Sequence, residues 1–297
     1  MKCDLCPRKC LVDRKKGEKG ICGQTENLKV ARAALHFWEE PCISGDAGSG
    51  AVFFSGCPLH CVFCQNENIA NGTVGKEISL ERLVDIFLEL QEKRANNINL
   101  VTPGHFVPQI VKALDQARKE GLTLPVVYNT SSYETVDTIK MLEGYVDIYL
   151  PDFKYMSPVL SKKYSRAPDY AEVAKAAIAE MVRQTGKAVF VNGDEDNLIL
   201  SGTIVRHLTL PGCMADSMQI LKYLHDTYGD MIYISIMNQF TPLSNLEKYP
   251  ELNRRITDEE YETLVDYAIE IGIENGFIQE GNTAEESFIP AFDCEGV

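Results

Sequence analysis

Three cysteines fall within eight residues of one another in the run Gly56-Cys57-Pro58-Leu59-His60-Cys61-Val62-Phe63-Cys64-Gln65-Asn66, and no other feature of the chain restricts its fold so tightly. The stretch just before it, Ala51-Val52-Phe53-Phe54-Ser55, is β-branched and aromatic. That composition predicts a short buried strand that delivers the thiols into a tight loop. Thiolates crowded in this way require metal. Their number matters, because a closed structural zinc site or an ordinary cubane cluster takes four protein ligands and this loop offers three cysteines. A [4Fe-4S] cluster held by three leaves one iron open to an outside ligand. The competing reading is a three-cysteine zinc site completed by His60 or a distant residue.

The C-x3-C-x2-C spacing, with the aromatic Phe63 ahead of the last cysteine, resembles the radical S-adenosylmethionine (SAM) superfamily. The resemblance implies a [4Fe-4S] cluster on Cys57, Cys61 and Cys64, with SAM bound at the open iron through its amino and carboxylate groups. It further implies reductive cleavage of SAM to methionine and a 5′-deoxyadenosyl radical, which abstracts a hydrogen atom from a substrate. A one-electron donor such as flavodoxin or ferredoxin would be a partner, and Phe63 would pack near the adenine. In such chemistry the cofactor does the hard step, while the protein supplies position and excludes water.

The chain has 297 residues, 45% of them hydrophobic, enough to bury a sizeable core as one α/β barrel domain with small additions. No apolar run of eighteen residues appears and Met1-Lys2-Cys3-Asp4 lacks a signal-peptide stretch, so the expectation is a cytoplasmic protein with no membrane partner. In that compartment ten cysteines read as metal ligands and free thiols, and an oxygen-labile cluster favours an anaerobe. A formal charge of −14 argues against nucleic acid as a partner.

A second cysteine group opens the chain: Cys3, Cys6 and Cys10, then Cys22 after a lysine- and glycine-rich stretch. Four thiolates in twenty residues predict a small N-terminal metal knuckle, holding either zinc or an auxiliary [4Fe-4S] cluster, in a segment too short to fold by burial alone. Residues 1–50 therefore read as a cysteine-rich segment plus connector, the connector being Leu28 to Gly50, and 51–297 as the main domain. Within that domain six strands alternate with helical patterns, starting at Ala51, Asn99, Pro125, Val146, Thr203 and Ile232. Helices are predicted near Ser79–Lys93 with Ser79 as N-cap, Pro108–Lys119 closed at Gly121, Thr135–Leu142, Tyr170–Gln184, Asp216–Tyr228 and Asp258–Ile271. A polar surface loop is read at 192–197, and a last strand at Gly276–Gln279. The count of six β/α units matches the partial, TIM-like (β/α)6 barrel that the superfamily resemblance implies.

In parallel α/β barrels chemistry gathers at the carboxyl ends of the strands. Asp152 and Lys154 end strand four, and Arg206 interrupts an otherwise apolar strand. An inward arginine needs an anionic partner, and Asp152 with Lys154 reads either as a site pair or as a structural ion pair. An Asp-x-Lys after strand four and an Arg before Pro-Gly in strand five are similar to the glycyl-radical activating enzymes, typified by the pyruvate formate-lyase activating enzyme. In that family these groups help hold SAM. Asn129 ends strand three, and its amide is suited to ribose or substrate hydroxyls. The family often carries Gly-Gly-Glu after strand two, where this chain has Thr102-Pro103-Gly104-His105 and no carboxylate, so Thr102 or backbone carbonyls are the expected substitutes. His105 reads mainly as structural, and His207, by strand alternation, as pointing away from Arg206 toward a helix. The first functional expectation is activation of a glycyl-radical partner enzyme. The alternative is an epimerase or other modification of a small molecule or peptide, with Cys213 or Cys294 as hydrogen donor. A third, non-enzymatic reading is a thiolate metal-binding or redox module.

Overall fold

The computed structural model describes residues 2–194, 197–242, 246–279 and 290–297. From the amino end the chain forms β1 (Leu28–His36), α1 (Pro41–Ser44), β2 (Ser49–Phe54), α2 (Glu67–Ala70), β3 (Lys76–Ile78), α3 (Leu80–Glu92), β4 (Ile98–Val101) and α4 (Val107–Lys119). It continues through β5 (Val126–Thr130), α5 (Val136–Lys140), β6 (Ile148–Pro151), α6 (Pro158–Ser165), α7 (Tyr170–Thr185), β7 (Val189–Phe190) and β8 (Ile199–Leu208). The last elements are α8 (Met214–Tyr228), β9 (Tyr233–Met237), α9 (Asp258–Glu270) and β10 (Gly276–Ile278).

Strand order in the sheet is β10-β9-β8-β6-β5-β4-β2-β1-β3. Along that order every pairing from β2 round to β10 is parallel, while β1 runs antiparallel to both β2 and β3, and the short β7 pairs antiparallel with β8 off this path. The six strands expected from the sequence are β2, β4, β5, β6, β8 and β9, and they form the expected α/β partial barrel with helices outside. Helix starts follow their caps: Ser79 accepts from the Arg82 amide at 3.1 Å, Thr135 caps α5, and Thr257 forms a reciprocal capping box with Glu260. Apolar faces such as Leu83, Phe87, Ile110 and Leu114 pack these helices on the sheet.

Three features depart from the reading of the sequence. Residues 28–50 are more than a connector, since β1 pairs with β2 over most of its length. A register shift between Val30 and Arg32 breaks the alternation of β1, and its alanines carry little strand signal, which is why periodicity missed it. Helix α6 and the short β3 and β7 also went unread, and β8 begins four residues earlier than predicted. Of the polar loop at 192–197, residues 195–196 lie outside the described residues.

The link from β1 to β2 shapes the interior. His36 pairs with Ser49 at the start of β2, so this link leaves from the amino end of the parallel strands. There α1 turns into the barrel and buries Cys42 and Ile43 among Val127, Ile148, Ile204 and Tyr233. Side chains pin its carbonyls: Asn97 Nδ2 donates to Ile43 O at 2.8 Å and Asn96 Nδ2 to Ser44 O at 2.6 Å. A segment of the chain thus plugs the barrel floor.

Because Ile43 is fully buried against strand residues, Ile43→Ala should lower the unfolding free energy by about 2–4 kcal/mol. Urea denaturation followed by circular dichroism measures this, and a loss below about 1 kcal/mol would mean that the plug is not part of the core.

Candidate active site

The cysteine loop leaves β2 at Gly56, whose φ of +94° and lack of a side chain both matter, since a Cβ there would strike Cys22 O and Gln24. Its amide donates to Ile69 O at 2.7 Å, closing the loop onto α2. Inside the loop, Cys64 N donates to Cys61 O at 3.1 Å, Val62 N to Tyr164 O at 2.9 Å, and the Ser165 hydroxyl to Cys61 Sγ at 3.0 Å. Burial pushes the Cys57 thiol up to about 11 and the Cys64 thiol up to about 12, and the neighbouring loop cysteines push in the same direction. Lys154 is the nearby cation that opposes the shift at both. Buried thiols of this kind are poor free thiolates, and metal ligation would remove the proton and spread the charge.

The N-terminal segment packs against this loop. His60 Nε2 contacts Ile21 O at 2.7 Å, and Arg8 donates to Pro58 O and Ser165 O, both at 2.9 Å. Cys10 and Cys22 flank Gly20, and burial, then Cys22, Cys10 and Cys3, push Cys6 up to about 12. Among the described residues no three His, Cys, Asp or Glu side chains are arranged to hold a single metal ion. A cubane makes a different demand, since its ligands bind separate irons.

Beneath the loop lies a cavity of about 260 Å³, lined by Cys57, Cys61, Cys64, Phe63, Thr102, Asn129, Asp152, Lys154 and Arg206. The structure thus brings together every residue of the main site that the sequence singled out. Arg206 is the hub. Its Nε donates to Asp152 Oδ1 at 2.9 Å, its Nη2 to Asn129 Oδ1 at 2.8 Å, and its Nη1 to Glu39 Oε2 at 3.1 Å. Lys154 Nζ reaches Asp152 Oδ2 at 2.6 Å. Burial pushes the Asp152 carboxyl up, but Arg206 and Lys154 outweigh it and hold the group below its ordinary value.

Other named residues occupy mixed positions. Phe63 lines the cavity yet also packs edge-on against Phe240, Tyr155 and Tyr164, with centroids 6.0–6.4 Å apart. Thr102 sits at φ +56°, a left-handed conformation uncommon for a β-branched residue, and turns the chain into the cavity. His105 bonds Ser55 O at 2.7 Å, and His207 bonds Phe153 O and the Ser217 hydroxyl of α8, both at 2.8 Å, so His207 points away from Arg206 as alternation predicts. Burial lowers them to about 3 and about 4, leaving both neutral. Cys213 does not line the cavity. It opens α8 beside Tyr164, and burial pushes its thiol up to about 11. Cys294 also lies elsewhere, donating its amide to Ala31 O on β1.

Three carboxyls escaped the sequence reading. Glu39 and Glu40 come from the plug, with Glu39 lining the cavity and Glu40 accepting from the Ser235 hydroxyl at 2.7 Å. Nothing local marks a pair of acidic residues in a link as interior. Glu134 follows β5, where it accepts from Tyr128 at 2.7 Å and from Thr130 at 2.9 Å. It packs so closely on Gly104 that a Cβ there would strike it, so the turn after β4 does meet a carboxyl, supplied by the next strand.

The structure is a parallel partial barrel with three half-buried cysteines on the loop after its first parallel strand. Residues 51–195 match the sequence model of the radical SAM superfamily. That match implies a [4Fe-4S] cluster, SAM and radical chemistry begun by SAM cleavage. The uncharacterized protein MJ0674 of Methanocaldococcus jannaschii is 27% identical over 275 residues, covering 90% of this chain and 74% of that protein. Among solved structures, SuiB of Streptococcus suis bound to precursor peptide SuiA matches with a TM-score of 0.50 and 12% identity over 75% of this chain and 46% of its own. HydG, a maturase of the [FeFe]-hydrogenase, gives 0.51 and 14% over 76% and 50%. Methylornithine synthase PylB gives 0.50 and 14% over 72% and 59%. The chain spans about half the length of these structures, and the likeness is one of fold. Among the described residues no helix is long and apolar enough to cross a membrane.

Burial raises Glu134 from 4.5 to about 7. The folded state therefore keeps a proton that the unfolded chain releases, so this group's contribution is full below about pH 4.5 and is lost as pH rises through about 7. Relative to wild type, Glu134→Gln should gain up to about 3 kcal/mol of stability between pH 4.5 and 8, read from paired urea titrations. A difference between the two proteins that stays constant with pH would contradict it.

Proposed function

We propose that this enzyme abstracts a hydrogen atom from a small polar molecule, or from a peptide side chain, that enters the cavity beneath the cysteine loop. The observation that carries the reading is that three cysteine thiols line one cavity together with the polar and charged side chains of Asn129, Asp152, Lys154 and Arg206. Cys57, Cys61 and Cys64 would hold the cluster, which when bound supplies the electron for reductive cleavage of SAM to methionine and an abstracting 5′-deoxyadenosyl radical. Lys154 lends positive charge to the ligand sulfurs and is itself steadied by Asp152. Phe63, Leu59 and the aromatic residues behind them keep water from that end of the cavity. A one-electron donor of the flavodoxin or ferredoxin kind belongs to the same reading.

Activation of a glycyl-radical partner is the finer reading suggested by Asp152-x-Lys154 and Arg206. It is supported by that resemblance alone. Here Arg206 spends its fork on Asp152, Asn129 and Glu39, an arrangement that favours a structural hub over a free clamp for a carboxylate. The hydrogen-donor reading for Cys213 and Cys294 is not carried forward, because neither thiol lines the cavity. The N-terminal cysteines, Cys3, Cys6, Cys10 and Cys22, are read as a second metal site, zinc or auxiliary cluster; the reading rests on their number and spacing in the sequence.

Anaerobic protein reconstituted with iron and sulfide, then given SAM and dithionite, should form 5′-deoxyadenosine, and Cys57→Ala, Cys61→Ala or Cys64→Ala should abolish it. No 5′-deoxyadenosine from the wild type would overturn the function. In the triple variant of the loop, metal analysis reports on the N-terminal group: residual iron identifies a cluster, zinc a structural ion, and the absence of both removes the second site.

A further inference from the structure

Resting on that radical reading, we infer that the substrate carries a cationic nitrogen, a protonated amine on an alkyl stem, and that Glu39 receives it. Among the described residues, three carboxyls, on Glu39, Glu40 and Asp152, share this interior with two cations, Arg206 and Lys154. Both cations already touch Asp152, and of the two Arg206 reaches Glu39. An oxidised cluster on three thiolates would carry one negative charge, and SAM held through a neutral amine and its carboxylate would be uncharged overall, so neither would remove the excess carboxylate. A buried charge without a counterion is costly, and a cationic ligand meets the deficit directly.

The geometry agrees with the charge count. Glu39 lines the cavity with its side chain only 9% exposed, and each oxygen has one partner, Asn129 Nδ2 at 3.2 Å and Arg206 Nη1 at 3.1 Å. A carboxylate has about four acceptor positions, so capacity remains. Beside Glu39 stands Asn99, fully buried and two residues before the cavity-lining Val101 on the same face of β4. Its amide is close enough to favour the charged form of Glu39, yet neither its oxygen nor its nitrogen completes a hydrogen bond of ordinary geometry. A fully buried amide with open valences next to an under-neutralised carboxylate marks a place for a ligand with polar hydrogens. Phe53, Val101 and Met237 line the same cavity and suit the methylenes of an alkyl amine. Burial raises both Glu39 and Glu40, and Arg206 opposes the shift at each.

The test uses the anaerobically reconstituted protein with SAM, titrated calorimetrically with n-butylamine, n-butanol and butyrate. Butylamine should bind at least about tenfold more tightly than the other two, Glu39→Gln should erase that preference, and Glu39→Asp should keep part of it. Equal affinities for the three probes, or a preference that survives Glu39→Gln, would overturn the inference. Should Glu39→Gln fail to fold, the wild-type comparison of charged and neutral probes decides alone. Formation of 5′-deoxyadenosine is measured on the same wild-type sample. If it forms and no charge preference is found, only the cationic substrate falls; if it does not form, the radical reading falls instead.

Discussion

A guanidinium placed inside a barrel has to be met by carboxylates, and much of this structure follows from how Arg206 meets that requirement. Its partners come from three separate places: Asn129 at the end of β5, Asp152 just past β6, and Glu39 on the link that enters from below. Partners buried together cannot part cheaply, because each would leave an uncompensated charge or amide behind. The cluster of bonds therefore sets the position of the plug relative to the strands and, through Asp152, the position of Lys154 under the cysteine loop. Floor and ceiling of the cavity are tied to one cation.

Much of the barrel was legible before any coordinates. Strands such as Val126–Thr130 and Ile148–Pro151 are near-continuous apolar runs, as expected for parallel strands covered on both faces, and the helices between them carry clear caps and 3.6-residue stripes. Spacing alone exposed the three loop cysteines, and position at strand ends exposed Asp152, Lys154 and Asn129. Arg206 stood out because a charge in an apolar strand needs a reason.

What stayed hidden depended on contacts between distant segments. Glu39 lies 90 residues from Asn129 and 167 from Arg206, so no local pattern announces that the three converge. The antiparallel β1 was masked by a bulge and by alanines whose burial comes from packing rather than propensity. Glu134 was overlooked because the search for a carboxyl near Thr102 followed the chain, while the structure supplies one from the adjacent strand. For the same reason Cys213 looked promising from its neighbours Pro211 and Gly212, although its thiol sits outside the cavity.

The floor of the chamber and its ceiling belong to different loops. Cys57, Cys61 and Cys64 sit on the link after β2, whereas Glu39 and Glu40 ride on the link before it, anchored by Ile43 and two asparagines. Exchanging that one short insert would change the acidic lining of the cavity and, through Arg206, the support of Lys154, with no residue of the cysteine loop altered. Two walls of one chamber are thus encoded in separate stretches of chain and joined through a shared guanidinium.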